Sequence, residues 1–322
     1  MRPLESLPSP RQRRCLVAWW GAFERGGETI GDLRALHVIA RLLREEGFKV
    51  VIATEVVYRE LLEFECAHWV TVDPTSVDIL AFVCGPIPGD SPSFRALHER
   101  FACAASIAIG VSVLPALAPG AWSPFGHVIA RDGGSAPVFG DLAKFRYRAP
   151  KCAVPVRRIG ICLRGAQREY GANESLHEKA RQVVEAVLEM VGGEVVELDT
   201  RLQGNAEAAD VIEAEFESVD LVVTTRMHGA LLGIAKGKPT LAIDQIRNGA
   251  KVSAVVGQIG WPAVISADAD LQRVRELVNL IVTAPIVDRL VAAQHAMTKL
   301  HIEACLEICS EVRKVLRKLD GT

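Results

Sequence analysis

Short apolar runs alternate with longer stretches of helical spacing along most of the chain. Leu33–Arg44 carries apolar residues at positions 33, 36, 39, 40 and 43, the spacing that places them on one helical face. Apolar runs rich in β-branched residues flank this helix, at 14–23, 48–54, 77–85 and 105–115. Strands and helices that alternate in this way, with apolar residues on both faces of the strands, predict a parallel sheet covered by helices.

The same alternation restarts after a stretch rich in Pro, Arg and Lys at 144–158, which is typical of a linker. Ser175 and Glu178 have the spacing of a capping box, which predicts the start of a helix there. Strands are predicted at 159–165, 194–198, 221–225 and 239–243, and helical spacing returns from residue 286 to the end. The second half of the chain therefore repeats the architecture of the first.

We interpret the chain as α/β, with two Rossmann-like domains that face a cleft and a long C-terminal helix. The predicted divisions are a flexible tail at 1–14, an N-terminal domain at 15–148, a C-terminal domain at 149–285 and a helical segment at 286–322. Ligands of open parallel sheets bind beyond the carboxyl ends of the strands. The cleft between the domains is therefore the predicted site, with the N-terminal domain on the acceptor side and the C-terminal domain on the donor side.

Composition narrows the function classes. A length of 322 residues suits about two domains, and a net charge of −2 argues against a dedicated nucleic-acid binder. No apolar run approaches the roughly 20 residues of a membrane span, so a cytoplasmic protein is expected. Eight scattered cysteines without a C-x-x-C pair fit a reducing compartment, and no metal site is predicted. The apolar face of the C-terminal helix would suit domain packing or a homo-oligomer.

The stretch LVVTTRMHGALL, residues 221–232, runs from a predicted strand directly into a predicted helix. Arg226 and His228 lie at the bend, where free backbone N–H groups and the helix dipole favour an anion. Arg226 can bind a phosphate or carboxylate bidentately, and His228 can transfer protons near neutral pH. We predict both as catalytic residues, with Gly229 behind them in the binding site. The alternative is a capped turn whose arginine pairs with a surface carboxylate.

Three further charged residues are predicted to bind substrate from the C-terminal half. Arg164 ends the strand IGICLRG, at the position equivalent to Arg226. Asp244 and Lys251 follow the strand at 239–243, and a lysine near a helix start is unfavourable for the helix dipole, which often marks a functional position. Solvated loop charges that pair among themselves are the alternative interpretation.

The N-terminal half contributes the turn GGETIGDLRAL, which links the first predicted strand to the first helix. Glycines such as Gly31 permit close approach of the backbone to a ligand, and Asp32 is a predicted N-cap. Thr29, Gly31 and Asp32 are therefore candidate binding residues. The turn matches neither G-x-G-x-x-G nor the phosphate loop, so a plain tight turn is the alternative.

Together these segments resemble the bacterial polysaccharide pyruvyl transferase family. The closest stretches are DLVVTTRMHGALLGIAKGKPTLAID and AKVSAVVGQIGWP, at 220–244 and 250–262. IGICLRG, AFVCGPI, SIAIGVSVLP and HVIARDGGSAPVFGDL are similar to other segments of the family, in the family's order. One departure lies in the first turn, where Thr29 stands in place of the asparagine of the family's G-N-x-G-D pattern.

The resemblance implies a glycosyltransferase-B-like fold and transfer of pyruvate from phosphoenolpyruvate onto two hydroxyls of an acceptor, usually a sugar, as a ketal. It implies no cofactor, since phosphoenolpyruvate is the donor substrate. Arg226, Arg164 and Lys251 would bind the donor's phosphate and carboxylate, while His228 would transfer protons. Two alternatives stay open: a nucleotide-sugar glycosyltransferase of the same architecture, and a non-catalytic binding protein. Internal pairing of Arg226 and His228, away from the cleft, would favour the binding protein.

Overall fold

The structure is a computed structural model of the chain. It describes residues 12–23, 27–59, 62–87, 92–114, 124–133, 138–152, 154–171, 173–205 and 208–321. Residues 1–11 of the predicted tail lie outside the described residues. Arg14, which was assigned to that tail, already belongs to the first strand.

The N-terminal sheet contains seven parallel strands. They are β1 (Arg14–Trp19), β2 (Lys49–Ala53), β3 (Glu65–Ala67), β4 (Ile79–Val83), β5 (Pro86–Ile87), β6 (Ala105–Val113) and β7 (His127–Gly133). Their order is β3-β2-β1-β4-β6-β5, with β7 paired to β6. Two helices, α1 (Ile30–Glu45) and α2 (Pro92–Arg100), belong to this domain. The four strands predicted here are confirmed.

Helix α1 buries the predicted apolar face, and its first turn corrects one prediction. Leu33, Leu36 and Leu43 are all buried in the core. Thr29, rather than Asp32, is the N-cap: its side chain accepts from the Asp32 backbone, and the Asp32 carboxylate accepts from the Thr29 backbone. Asp32 therefore occupies the third helical position of a reciprocal capping box, which satisfies two backbone donors at the helix start.

The C-terminal sheet has five parallel strands in the order β12-β11-β10-β8-β9. They are β8 (Arg158–Cys162), β9 (Glu194–Glu197), β10 (Leu221–Thr224), β11 (Thr240–Asp244) and β12 (Val264–Ser266). The helices are α3 (His177–Val191), α4 (Ala208–Glu217), α5 (Met227–Ala235), α6 (Lys251–Gln258) and α7 (Leu271–Ile281). This strand order is that of flavodoxin-like sheets, whose order reverses between the first and third strands.

The capping box predicted at Ser175 and Glu178 is wrong. Helix α3 begins at His177 behind Leu176, which makes no side-chain cap. The Ser175 hydroxyl instead accepts from the Gln167 backbone N–H at 3.2 Å. Tertiary contacts of the loop thus override the local capping signal.

The two sheets turn their strand-order reversals toward each other. In the N-terminal sheet the order reverses between β1 and β4, and in the C-terminal sheet between β8 and β10. Loops that leave such a reversal splay apart and open a crevice at the carboxyl ends of the strands. The predicted pair of α/β parallel-sheet domains is thereby confirmed.

A 35-residue helix, α8 (Ile286–Asp320), returns across both domains. Arg313 forms an ion pair with Glu46 of the N-terminal domain at 2.7 Å. Gln294 donates to the backbone carbonyl of Ile234 in the C-terminal domain at 2.9 Å. The helix predicted from residue 286 is therefore confirmed, and it contacts both halves. Within the described residues, none of the helices has the length and apolar character that a membrane span needs.

A buried ionic cluster also connects the domains. Lys236, whose side chain is fully buried, lies 2.6 Å from Glu213 on α4. Arg34 of α1 contacts the same carboxylate at 2.6 Å. Because a buried ion is costly unless paired, this contact favours a defined arrangement of α1 against α4.

Candidate active site

A cavity of about 350 Å³ lies between the carboxyl ends of the two sheets. Its lining comes from both domains, and it includes residues that follow β1, β4, β8 and β10. The described lining residues are Trp20, Gly27, Thr29, Asp32, Cys84, Pro86, Ser112, Arg131, Arg164, Glu169, Tyr170, Thr200, Arg201, Thr225, Arg226, Met227, His228 and Lys251. Among them cations outnumber carboxylates by five to two, which makes the cavity suited to an anion.

The turns after β8 and β10 place Arg164 and Arg226 together on one wall. Thr225 Oγ1 accepts from the Arg164 backbone N–H at 2.7 Å, which ties the two turns to each other. Arg226 is the N-cap residue of α5, and its Nε donates to the Leu163 carbonyl at 3.0 Å. The guanidinium is thus held at a helix start, with only one of its donors used by that contact.

Burial lowers the pKa of Arg226, although Cys162 and Asp199 act in the opposite direction. The Asp199 carboxylate lies 3.9 Å from Arg226 Nη2 and 2.7 Å from Arg201 Nη2. Arg201 also lines the cavity, and the sequence interpretation missed it. The signal was available, because Arg201 follows the predicted strand at 194–198 just as Arg164 and Arg226 follow theirs.

Lys251 begins helix α6 and lines the same wall. Burial, together with the charges of Arg164 and Arg131, lowers the pKa of Lys251 to about 7. Its Nζ lies 3.9 Å from Glu169 and 5.9 Å from the centre of the Tyr170 ring. The contact with Glu169 is longer than a hydrogen bond, so the Lys251 side chain can still donate to an anionic ligand.

His228 is buried, and both of its ring nitrogens face protein groups. Nδ1 lies 2.8 Å from Thr29 Oγ1, and Nε2 lies 3.4 Å from Asp141 Oδ2. Asp141 also contacts Arg131 Nη1 at 3.3 Å. Burial by itself would raise the pKa of Asp141, but His228 and Arg131 outweigh it and hold the pKa well below its usual range. Asp141 is therefore an ionised partner for both groups.

Sequence reasoning missed Asp141. It lies in the described stretch 138–152, which contains neither helix nor strand. Strand-end and helix-start rules give no signal in such a segment. Arg131, the fifth of the seven residues of β7, also lines the cavity, where it is buried against Asp141 and Ser112.

Thr29 connects the two domains at the cavity. The backbone N–H of Ile30 donates to the Thr200 carbonyl at 2.8 Å, and that of Leu202 donates to Glu28 at 3.1 Å. Thr29 Oγ1 lies 2.8 Å from both Asp32 Oδ2 and His228 Nδ1. Its single hydroxyl hydrogen can serve only one of these acceptors at a time.

The remaining predicted residues surround the cavity without lining it. A Cβ on Gly31 would lie 2.2 Å from His228 Cγ, and one on Gly229 would lie 2.5 Å from Thr224 Oγ1. The glycines thus allow α1 and α5 to approach their neighbours closely. Asp244 accepts from the backbone of Ile246, Ala250 and Ser253 at 2.7–3.0 Å and so anchors the following loop.

The arrangement combines an anion-binding wall with a chain of groups that can move a proton. Asp141, His228 and Thr29 form a carboxylate–imidazole–hydroxyl series whose last member lines the cavity. The described residues contain no group of three or more His, Cys, Asp or Glu placed to hold a metal ion. The five cationic side chains that line the cavity are groups that would balance a ligand's negative charge.

Comparisons with known proteins show the fold. No protein-family model matches the chain, and no curated protein sequence does. A mutant of the O-GlcNAc transferase of Thermobaculum terrenum is similar in structure, with 12% identity, 98% of this chain and 70% of that chain covered, and a TM-score of 0.51. A spinosyn forosaminyltransferase is 11% identical, with 97% of this chain and 100% of that chain covered and a TM-score of 0.47. The ADP-heptose LPS heptosyltransferase II of E. coli is 12% identical, with 84% of this chain and 98% of that chain covered and a TM-score of 0.41.

The predicted glycosyltransferase-B-like architecture is therefore confirmed, on the likeness to the O-GlcNAc transferase. At 12% sequence identity this likeness shows the fold alone.

Proposed function

We propose that the protein is a transferase that binds a phosphorylated donor in the cavity between its sheets and passes the donor's group to a hydroxyl. The observation that carries the proposal is the convergence of Arg164, Arg226 and Lys251 at the reversal of the C-terminal sheet. Phosphates bind at such positions because backbone N–H groups, helix dipoles and guanidinium groups all favour negative charge there.

Glycosyl transfer from a nucleotide sugar is the first candidate reaction, since an O-GlcNAc transferase shares the architecture. The bond between the anomeric carbon and the phosphate oxygen breaks, and its electron pair leaves with the diphosphate. Arg164, Arg226 and Lys251 stabilise that charge. A new bond forms from the acceptor oxygen to the anomeric carbon.

The acceptor's proton leaves through Thr29. Its hydroxyl takes the proton and gives its own to His228 Nδ1, 2.8 Å away. The resulting imidazolium donates from Nε2 to Asp141, which is ionised. The tautomer that this step needs, with Nδ1 unprotonated, is the one in which the Thr29 hydroxyl donates to His228. Both ring nitrogens of His228 are engaged, so His228 acts through Thr29.

Pyruvyl transfer from phosphoenolpyruvate is the second candidate, favoured by the resemblance of 220–262 to polysaccharide pyruvyl transferases. Phosphoenolpyruvate carries a phosphate and a carboxylate, which suits a wall with several cations. A proton is added to the methylene carbon, two acceptor oxygens bond to the central carbon with loss of their protons, and phosphate leaves. A non-catalytic role is less favoured, because Arg226 and His228 both line the cavity.

Isothermal calorimetry with three nucleoside diphosphates (UDP, GDP and thymidine diphosphate) beside phosphoenolpyruvate tests the proposal. The variant is Arg226→Ala, and the matched control is Arg273→Ala on α7, whose half-exposed side chain pairs with Glu276. Loss of a guanidinium–phosphate contact should weaken binding at least tenfold in Arg226→Ala and leave the control unchanged.

The ligand that binds decides between the two reactions. Saturable binding of a nucleoside diphosphate that Arg226→Ala weakens supports glycosyl transfer. Binding of phosphoenolpyruvate alone, with the same sensitivity, supports pyruvyl transfer. If no phosphorylated ligand binds, or if Arg226→Ala has no effect, the proposed donor site is wrong.

A further inference from the structure

A second, larger cavity opens beside the first. Its volume is about 1180 Å³, and it shares Ser112, Tyr170 and Lys251 with the donor cavity. The remaining described lining residues are Val113, Leu114, Asp132, Gly133, Glu174, Ile246, Arg247, Asn248, Gly249, Ala250, Ser253 and Ala254. A molecule in this cavity would therefore meet a bound donor at the shared residues.

Asp132 is the buried charged residue among those that line this cavity. The residue is 4% exposed, and its Oδ1 is buried without a hydrogen-bond partner. Arg131 Nε lies 3.8 Å away, within reach of its charge but beyond hydrogen-bond distance. A buried carboxylate that lacks part of its hydrogen bonding is costly, and because Asp132 also lines this cavity, a ligand hydroxyl that donates to the carboxylate would recover free energy.

The wall formed by the loop after β11 is preformed. The Asp244 carboxylate fixes that loop through three backbone N–H groups, from Ile246 to Ser253. Asn248 and Gly249, at its tip, have positive φ values of 62° and 80°. Because this conformation is fixed by hydrogen bonds, the wall needs little ordering when a ligand binds.

The lining of this cavity includes both apolar and polar side chains. Val113, Leu114 and Ile246 contribute apolar surface, whereas Asp132, Tyr170 and Glu174 contribute polar groups. The volume also exceeds the roughly 300–1,000 Å³ of typical small-molecule sites. Both properties suit a molecule that is larger than a monosaccharide and carries both hydroxyls and an apolar group.

We propose that this second cavity is the acceptor site and that it takes an amphipathic glycoside. A sugar hydroxyl donates to Asp132 beside the donor cavity, and the alkyl or aryl group lies along Val113 and Leu114. This inference rests on the proposed transferase function, and it assigns Asp132 as a residue that binds a hydroxyl of the acceptor other than the one that reacts.

Saturation-transfer NMR with n-octyl β-D-glucoside, below its micelle concentration, and with glucose tests the site. Ala254→Trp fills the cavity from an exposed position on α6, and Ala292→Trp, on the exposed face of α8 outside the cavity, is the matched control. Octyl glucoside should bind to the wild type and to the control at least tenfold more tightly than glucose, and Ala254→Trp should lose that binding. Asp132→Asn should weaken it about tenfold, as expected for a hydrogen bond to a charged group.

Three results would overturn this inference: no binding of octyl glucoside, equal binding of glucose, or binding that Ala254→Trp leaves intact. Nucleoside diphosphate and phosphoenolpyruvate binding, measured in the same samples, separates the two proposals. Loss of glycoside binding with donor binding retained contradicts the acceptor site alone. Absence of donor binding in the wild type contradicts the proposed function.

Discussion

The two walls of the donor cavity differ in how they are built. The C-terminal wall presents Arg164, Arg226 and Lys251, each at a strand end or a helix start. The N-terminal wall presents Thr29 and Asp32, and behind it lies Asp141. The C-terminal wall carries four of the cavity's five cations, the fifth being Arg131 of the N-terminal domain, whereas the N-terminal side supplies the Thr29 hydroxyl and the Asp141 carboxylate that contact His228.

This difference separates binding from proton transfer. The cations at the strand ends of the C-terminal sheet are held by turns of that sheet, so the anion-binding wall is built within one domain. The proton path joins residues 29, 141 and 228, which the chain brings together only when both domains and α1 are in place. Substitutions on the two sides should therefore differ in kind: loss of ligand affinity on one, and loss of stability on the other.

Asp141→Asn should have the largest effect, because it removes the carboxylate that both Arg131 and His228 face. Breaking a buried ion pair from one side leaves an uncompensated charge, and the expected cost is about 3 kcal/mol in the free energy of unfolding at pH 7. Urea unfolding measures it. The exposed Glu185→Gln on α3 is the control and should stay within about 0.5 kcal/mol.

The same variant has a defined pH dependence. The pKa of Asp141 is depressed in the folded state, so its stabilisation is present above the unfolded pKa of about 3.9 and is lost as the pH falls below that value. Wild type and Asp141→Asn should therefore differ most at neutral pH and converge in acid. A constant difference from pH 7 to pH 3 would contradict an ionised Asp141.

Gly31→Ala should cause the next largest loss of stability, since a Cβ there would lie 2.2 Å from His228 Cγ. Either α1 or the imidazole must shift, at about 1–3 kcal/mol for overpacking of this kind. Gly257→Ala on α6 is the matched control, because its Cβ would have no neighbour within 4 Å. That change should stabilise the protein by about 0.5–1 kcal/mol through helix propensity. Unfolding midpoints that move in the same direction would contradict the clash.

The sequence predicted the C-terminal wall better than the N-terminal one for physical reasons. Arg164 and Arg226 follow apolar runs whose strand character is clear, and a strand end fixes where the next side chains point. Arg201 obeys the same rule after β9 but was overlooked. The strands and α1 were likewise predictable because their buried faces repeat with a fixed period.

Asp141 could not be predicted, because its stretch 138–152 has no regular structure and its partners are distant in sequence. The two capping signals show the same limit. Ser175 has the correct spacing, yet a loop contact takes its hydroxyl. Thr29 caps α1, yet the apolar pattern pointed to Asp32. Local signals identify candidates, and tertiary contacts decide among them.

Lys251 allows the electrostatics of the binding wall to be tested by pH. Its pKa of about 7 means that the ammonium loses its charge as the pH rises through neutrality. Affinity for the nucleoside diphosphate or phosphoenolpyruvate that binds should therefore fall between pH 6 and pH 8. Lys251→Met should bind about tenfold more weakly at pH 6, where the wild-type charge is present, and approach the wild type by pH 8.5. Calorimetry between pH 6 and pH 8.5 measures the affinity of the wild type and of the variant.

The Lys251→Met variant is also the reference for the ligand's own titration, since it lacks the titrating group. In the wild type the free energy of unfolding should rise with pH, opposite to the fall in ligand affinity. Between pH 7 and the unfolded pKa of about 10.4, the unfolded chain binds the proton that the folded chain has released, so the free energy of unfolding rises with pH. Equal slopes of affinity against pH for the two proteins would contradict a ligand contact by Lys251.

Arg201→Gln should have the smallest effect of the cavity's cations. Its side chain is 53% exposed and already pairs with Asp199, whereas the side chain of Arg226 is 14% exposed. An exposed ion pair contributes about 0–1 kcal/mol, so affinity for the bound phosphorylated ligand should fall less than about fivefold. The difference should also shrink as salt rises from 50 to 500 mM, because exposed charges are screened most. If Arg201→Gln costs as much as Arg226→Gln at both salt concentrations, Arg201 must become buried when the ligand binds. The two domains would then close over the donor, and the contrast between a wall built within one domain and a proton path assembled from both would hold only for the empty cavity.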